Sequence, residues 1–521
     1  MNDIVLSIKN LTAGYGGKAV VSQASFGLDR GEIIVVVGES GSGKSTLLKA
    51  ILPLEDYGVA MSGGEIIFKN KPLSGMTAAE KNRLNGRQIG MVFQDPKASF
   101  NPVRTFRKQF IEALKSHGRY ERELFEEQVL ELFRKLKLLD GERILDSCPY
   151  EMSGGMNQRI AIALAILLEP VLLLADEPTS ALDVTAQEQV MEELLRIREY
   201  YHTSMIIVTH NIGVAARLAD KVGVMHRGKI VEFGAAGEVL EHPRNSYTKR
   251  LLDAVPQAGN MAEKREIKAA CYLLELKQVG KSYLKRRNSF SALSQVDLLL
   301  KPGEILGIVG ESGSGKSTLL KQVAGLKKPS EGRIVLHGKD ITQKRTNMDF
   351  RRMQMIFQNA YDSFNPKLKI RHSIAETLKN LGGMKDRKEV DARIDSLMER
   401  VGLEPYLADR YPAELSGGQC QRAAIARAIS VNPEVLLCDE ITSALDVSVQ
   451  ADIVKLIVEL ANESGMAIIF VSHDIVLVSN ICGSIMVMRE GRCIEAGEAK
   501  EVITNPKEDY TKRLLASARA E

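Results

Sequence analysis

No tryptophan occurs among the 521 residues, and aromatic side chains make up only 5% of them. Cysteine is scarce as well. The six, at positions 148, 271, 420, 438, 482 and 493, form no Cys-x-x-Cys pair and no zinc-like spacing. That excludes a disulfide-stapled scaffold or a zinc ribbon and fits reduced thiols; Cys438, inside an apolar run, reads as a core residue. A one-sided charge is missing too. Lys and Arg total 70 against 66 Asp and Glu, a formal net charge of +4, whereas a grip on nucleic acid built from charge shows as a strongly basic face. So is a long apolar run. The greasiest stretch, residues 160–175, is broken by Glu169 and Pro170 and ends at Asp176. A membrane span needs about 20 mainly apolar residues, so the stretch reads as a buried helix followed by a buried strand, and the chain is expected not to cross a bilayer alone. Its opening residues, MNDIVLSIKN, lack a basic leader with an apolar run behind it, so no secretory signal is expected.

What is present is ordinary material for a large globular protein, 44% hydrophobic and 26% charged, at a length that suggests several domains. Its organisation is a repeat. The stretch GESGSGKSTLLK from Gly38 to Lys49 recurs unchanged from Gly310 to Lys321. Leu-Leu-Leu-Ala-Asp-Glu ending at Glu177 is echoed by Val-Leu-Leu-Cys-Asp-Glu ending at Glu440, and Val208-Thr-His210 by Val471-Ser-His473. One shared loop can arise by chance; several landmarks in one order point to two homologous domains. We place them at residues 1–255 and 273–521, joined by a polar linker, 256–272, that follows the first tail without a clear apolar period. In each half, β-branched runs such as Gly31–Val37 end at a Gly-rich loop and pass into a helix, the pattern of a parallel sheet covered on both faces. Segments near Leu6 and Glu65 suggest a smaller antiparallel sheet, and residues 105–170 read as mostly helical.

The repeated loop fits G-x-x-x-x-G-K-S, the P-loop pattern. Glycine lets backbone amides wrap around phosphate, and the helix that follows offers its positive end to the same charge. The expected nucleotide contacts are Gly38, Ser40, Gly41, Gly43, Lys44, Ser45 and Thr46, and in the second half Gly310, Ser312, Gly313, Gly315, Lys316, Ser317 and Thr318. Lys44 and Lys316 would reach the β- and γ-phosphates, and Ser45 and Ser317 would ligate Mg2+, a hard cation that prefers oxygen. Asp176 and Asp439, at the ends of buried strands, are expected to hold the same ion. Glu177 and Glu440, turned differently by the strand pleat, are expected to face the water that attacks ATP.

One group of P-loop enzymes is singled out by Ser153-Gly-Gly-Met-Asn-Gln-Arg159 and Leu415-Ser-Gly-Gly-Gln-Cys-Gln-Arg422, each a little upstream of its Asp-Glu pair. These resemble the signature of ABC ATPases, and nearly the whole chain outside the linker follows that family's order of landmarks. The resemblance implies a fold of the α/β class, two tandem P-loop ABC ATPase domains, each with a mainly parallel core sheet, an antiparallel β subdomain and a helical subdomain. Gln94 and Gln358 then correspond to the family's Q-loop glutamine, near Mg2+ and the reacting phosphate; His210 and His473 to its switch histidine; Ser180–Asp183 and Ser443–Asp446 to its D-loop; Tyr15 and Tyr283 to an aromatic residue stacked on adenine. Pairing in the family is head to tail, which would set Lys44 against Ser416, Gly417 and Gly418, and Lys316 against Ser153, Gly154 and Gly155 within one chain, although pairing between chains stays open. Met156, Asn211 and Pro178 stand where the second half has Gln419, Asp474 and Ile441. None of these differences removes a phosphate, metal or base group, so two competent sites are expected.

Two further features resemble the peptide/nickel importers within that family. These are the stretches Phe93–Pro102 and Phe357–Pro366, and the tail His242-Pro-Arg-Asn-Ser-Tyr-Thr-Lys-Arg-Leu-Leu252, repeated as Asn505-Pro-Lys-Glu-Asp-Tyr-Thr-Lys-Arg-Leu-Leu515. They imply an ATP- and Mg2+-dependent motor, peripheral on the cytoplasmic face of a bacterial inner membrane. It would drive two integral-membrane permease subunits supplied by an extracytoplasmic substrate-binding protein. An exporter ATPase, or a fused ATPase acting on ribosomes or DNA, are the alternative readings. The short linker, the absence of a metal-binding cysteine cluster and the near-neutral charge disfavour a nucleic-acid partner.

Overall fold

The computed structural model describes residues 3–52, 58–96, 99–180, 182–255, 271–285, 288–443 and 445–519. All of the expected linker but its last two residues lies outside that set. The chain divides into two compact units with the break after Val255.

Each unit is built on a six-stranded sheet. In the first, the strands lie in the order Lys229–Ala235, Lys221–His226, Ile33–Val37, Ser204–Thr209, Leu172–Asp176 and Ile89–Val92. The second repeats it with Arg492–Glu498, Ser484–Arg489, Ile305–Val309, Ala467–Ser472, Val435–Asp439 and Met353–Ile356. All neighbours are parallel except the two strands at the first-named edge, which form an antiparallel hairpin. The central strands are buried along their whole length, as continuous apolar runs covered on both faces must be. Apolar side chains on opposite faces of the sheet enter two separate cores, Ile33, Val35 and Val37 one, Ile34 and Val36 the other. The second core also takes the inner face of a four-stranded antiparallel sheet, ordered Lys18–Asp29, Ile4–Tyr15, Ala60–Phe68 and Lys71–Pro72.

The helical part follows the expectation from the sequence. Helices Phe106–Ser116, Phe125–Lys135, Gly141–Asp146 and Gly154–Ile166 meet around edge-to-face pairs, Phe110 with Phe133 at 5.6 Å and Phe100 with Phe106 at 5.0 Å. The greasy stretch resolves into the last of these helices and the strand Leu172–Asp176. Among the described residues no helix is long and apolar enough to cross a membrane. All six cysteines are free, with Cys420, Cys438 and Cys482 buried; burial raises the Cys420 thiol to about 12.

Candidate ATP site

Strand Ile33–Val37 delivers the chain into the loop, and helix Lys44–Ile51 leaves it. Gly43, the helix N-cap, has φ 102°, and its counterpart Gly315 has φ 103°. A side chain there would be strained, and it would also meet the neighbouring sheet: a Cβ on Gly43 would lie 3.2 Å from the Val20 carbonyl oxygen, and one on Gly315 2.8 Å from that of Ala292. The first glycine is pressed from another side. A Cβ on Gly38 or Gly310 would come within 2.2 Å of the carbonyl oxygen of Met225 or Met488.

The lysine of each loop is buried but satisfied. Lys44 Nζ donates to the carbonyls of Gly38 at 2.6 Å and Glu39 at 2.9 Å; Lys316 Nζ donates to those of Gly310 at 2.7 Å and Glu311 at 2.9 Å. The ammonium is thereby held beneath its own loop, ready for an anion. Ser45 Oγ donates to Asp176 Oδ1 at 2.9 Å, and Ser317 Oγ to Asp439 Oδ1 at 2.8 Å. Both aspartates are titrated upward by burial, with the serine bond opposing the shift. A buried carboxylate beside a hydroxyl is an all-oxygen donor set of the kind a hard divalent cation takes.

The neighbouring glutamates do not alternate off the strand as the pleat argument supposed. Both lie just beyond the strand end, with φ 47°. This left-handed turn, not the pleat, swings Glu177 and Glu440 toward the glutamine of the loop before them, and Glu177 also toward His210. Gln94 Nε2 donates to Glu177 Oε2 at 3.1 Å, and Gln358 Nε2 to Glu440 Oε2 at 2.8 Å. His210 Nδ1 stands 3.2 Å from Glu177 Oε2, and Lys316 Nζ 3.5 Å from Glu440 Oε1. Burial pushes Glu177 up, but His210, Lys44 and Gln94 outweigh it and leave the group below the usual carboxylate range. A non-glycine residue held at positive φ costs energy, and here the same cost recurs at the matching position of both halves. No feature of the one-dimensional pattern announced it.

Other expected residues sit apart from this cluster. Ser153 and Ser416 cap the helices Gly154–Ile166 and Gly417–Ile429, accepting from Met156 N at 3.2 Å and Gln419 N at 3.3 Å. Gly154, Gly155, Gly417 and Gly418 form the first turns of those helices. Tyr15 is exposed at the end of the strand whose partner runs past the loop at Val20. Tyr283, in the matching strand, has Lys281 and Lys327 over its ring and accepts a hydrogen bond from Lys327 Nζ at 3.1 Å. Thr46 lies buried in the helix after the first loop; Thr318 holds the matching place in the second. Ser40, Gly41, Ser312 and Gly313 lie within the loops themselves.

Residues 21–180 and 293–443 match the family described as ABC transporter, and residues 231–291 match the oligopeptide/dipeptide transporter C-terminal region. The chain is 38% identical to the peptidoglycan transport ATP-binding protein YejF of Agrobacterium fabrum, across 99% of this chain and 96% of that protein. It is 35% identical to the glutathione import ATP-binding protein GsiA of Pectobacterium atrosepticum, across 98% of this chain and 89% of that one. Among solved structures, the archaeal ribosome recycling factor aABCE1, crystallised with the ribosomal stalk protein aP1, superposes with a TM-score of 0.65 over 98% of this chain and 92% of its own. At 21% identity that likeness is one of fold alone.

Proposed function

Since this chain belongs to the ABC transporter family, as the ATP-hydrolysing subunit of an import system, we propose that both of its phosphate loops work, each hydrolysing ATP to drive a membrane permease. The supporting observation is the repetition of one arrangement: Lys44 and Lys316 under their loops, Ser45 with Asp176 and Ser317 with Asp439, and Gln94 with Glu177 and Gln358 with Glu440. Phosphoryl transfer leaves little covalent work to a protein, so positioning and charge neutralisation dominate. Lys44 and Lys316, with the amides of their loops, bind the β- and γ-phosphates. Glu177 and Glu440 take the proton of the attacking water, which Gln94, Gln358, His210 and His473 help to orient. The Ser45–Asp176 and Ser317–Asp439 pairs suit Mg2+, which when bound supplies positive charge against the phosphates. Tyr15 and Tyr283 stack on adenine. In the ATP-bound state the serine–glycine turn at Ser153 closes on the second loop and that at Ser416 on the first.

We assign residues 1–255 and 273–521 to the two ATPase domains and 256–272 to the tether. The partners are two integral-membrane permease subunits and, through them, an extracytoplasmic binding protein. The cargo is peptide-like, in keeping with the tail region and with relatives named for peptidoglycan and glutathione. The working place is the cytoplasmic face of the bacterial inner membrane. Exposed Val103 and Tyr150 in one half and Tyr406 and Tyr411 in the other, near or within the helical parts, give apolar surface for such partners. ATP turnover of the chain reconstituted with its permeases should rise when loaded binding protein is added. Gln94 and Gln358 also link the reacting phosphate to the permease helices, so Gln94→Ala combined with Gln358→Ala should abolish that rise, and stimulation that survives the pair refutes this link.

A further inference from the structure

The tail motif Tyr-Thr-Lys-Arg-Leu-Leu has no part in the chemistry described so far, yet it ends up against the phosphate loop in both halves. In the first, helix Ser246–Asp253 carries Tyr247, whose hydroxyl accepts a hydrogen bond from the backbone N–H of Glu39 at 3.4 Å. In the second, helix Asp509–Arg519 carries Tyr510, whose hydroxyl accepts from the N–H of Glu311 at 2.9 Å. Glu39 and Glu311 directly follow the first glycine of each loop.

The rings are seated as well as the hydroxyls. Tyr247 stacks on His226 at 4.0 Å and 12°, and the Arg489 guanidinium lies over the Tyr510 ring at 5.2 Å. His226 and Arg489 end matching strands, one residue after the Met225 and Met488 carbonyls that press on Gly38 and Gly310. The root of each tail is fixed by a carboxylate. Glu232 accepts from the amides of Arg244 at 2.7 Å and Asn245 at 3.1 Å, and Glu495 from those of Lys507 at 2.9 Å and Glu508 at 3.2 Å. Further along, Leu251 in one half and Leu514 and Leu515 in the other bury in the main core. The hydroxyl bond, the carboxylate and the leucines recur in both halves, while the residue against the ring differs, His226 in one and Arg489 in the other.

We propose that the tail helix of each half is a clamp on its phosphate loop, with Tyr247 and Tyr510 as positioning residues that set the loop's affinity for ATP. The loop's first turn is then held from two sides. Its carbonyls are tied by the loop lysine and its second amide by the tail tyrosine, so the remaining amides face the phosphates without having to be ordered by them. Linkage makes the effect reciprocal: ATP steadies the tail as much as the tail steadies ATP. This rests on the reading that these loops hold the phosphates.

The test is Tyr510→Phe, which keeps the ring and removes only the hydroxyl, made in the full chain carrying Lys44→Ala so that the second loop is read alone. Titration with Mg-ATP should show affinity weakened about three- to tenfold, the span of one neutral hydrogen bond, whatever small change the lost bond makes to the melting temperature of the nucleotide-free chain. Tyr247→Phe in a Lys316→Ala chain should weaken binding by less than about threefold, because its bond is the longer one. ATP affinity equal to the parent's in Tyr510→Phe overturns the clamp, as does a lowered melting temperature with affinity intact, the mark of a purely structural role. If Lys44→Ala by itself still binds two ATP per chain, it is the assignment of the loops that fails.

Discussion

In the first half, Ser153 caps its helix by accepting from Met156 N, and the thioether of Met156 has nothing to return. In the second, Ser416 accepts from Gln419 N, and Gln419 Oε1 accepts from Ser416 N at 3.0 Å, closing a reciprocal capping box. The switch segments differ too. Asn211 caps the helix after His210, accepting from Gly213 N. Asp474 does so after His473, accepting from Leu477 N, and its carboxyl is pushed up by burial. Arg159, on the first half's serine-capped helix, pairs with Glu193, which is wholly buried. Arg422, its match, reaches Asp452 at 3.6 Å near the surface, and the apolar Leu456 stands where Glu193 would be. The chemical groups around the phosphate loops agree to about a tenth of an ångström at the loop lysine and the serine–aspartate pair. The two halves thus share the placement of lysine, serine and aspartate at the phosphate loop and differ in the scaffold that carries it.

Replacing the proposed base of each half sharpens that comparison most. Glu177→Gln and Glu440→Gln should each remove their own half's share of steady-state ATP turnover, and the two together should cut it by about a hundredfold, the low end of what a positioned base contributes. Turnover left intact in one variant only would mean that the halves have diverged in their chemistry. Next in size is the acid–base behaviour of the first scaffold. Folding raises Glu193 from about 4.5 to about 7, chiefly through burial, with Arg159 opposing. The folded chain therefore holds that proton more tightly than the unfolded one. Its contribution to stability is fullest below pH 4.5 and is lost as pH rises through 7, by at most about 3 kcal/mol. Melting temperatures taken from pH 5 to 8 should fall, and Glu193→Leu, which copies Leu456, should flatten that slope, since Arg159 keeps Gln189 and the carbonyls of Leu136 and Lys137. A slope unchanged by the substitution would locate the sensitivity elsewhere. The caps give the smallest effect. Met156→Gln should raise stability by about 0.5–1 kcal/mol and Gln419→Met lower it by as much, read as shifts in denaturant midpoint; equal midpoints would mean that the returned bond is idle.

Most of this architecture was legible because it is written in local chemistry. β-Branched runs such as Ile33–Val37 declared buried parallel strands, and the Gly-rich loops declared their own turns. The pairing of Ser45 with Asp176 joins residues far apart in sequence, but the roles expected of each already required them to meet. The turn at the glutamates was invisible. An Asp-Glu dipeptide after an apolar strand reads the same whether the second residue continues the pleat or leaves it, and only the backbone of the assembled sheet decides. The seat of the tail was half visible. The repeated Tyr-Thr-Lys-Arg-Leu-Leu advertised a constraint, but an amphipathic helix start explains the leucines and says nothing of what the tyrosine reaches.

The left-handed glutamates bear on how such a chain can be improved. At Glu177 and Glu440 the backbone would be most at ease with glycine, relieving something like 1 kcal/mol or more at each. An optimiser rewarded for thermal tolerance alone would choose that exchange early and would erase the carboxylates as it did so. Any campaign to harden this motor against heat must therefore freeze these two codons before it begins.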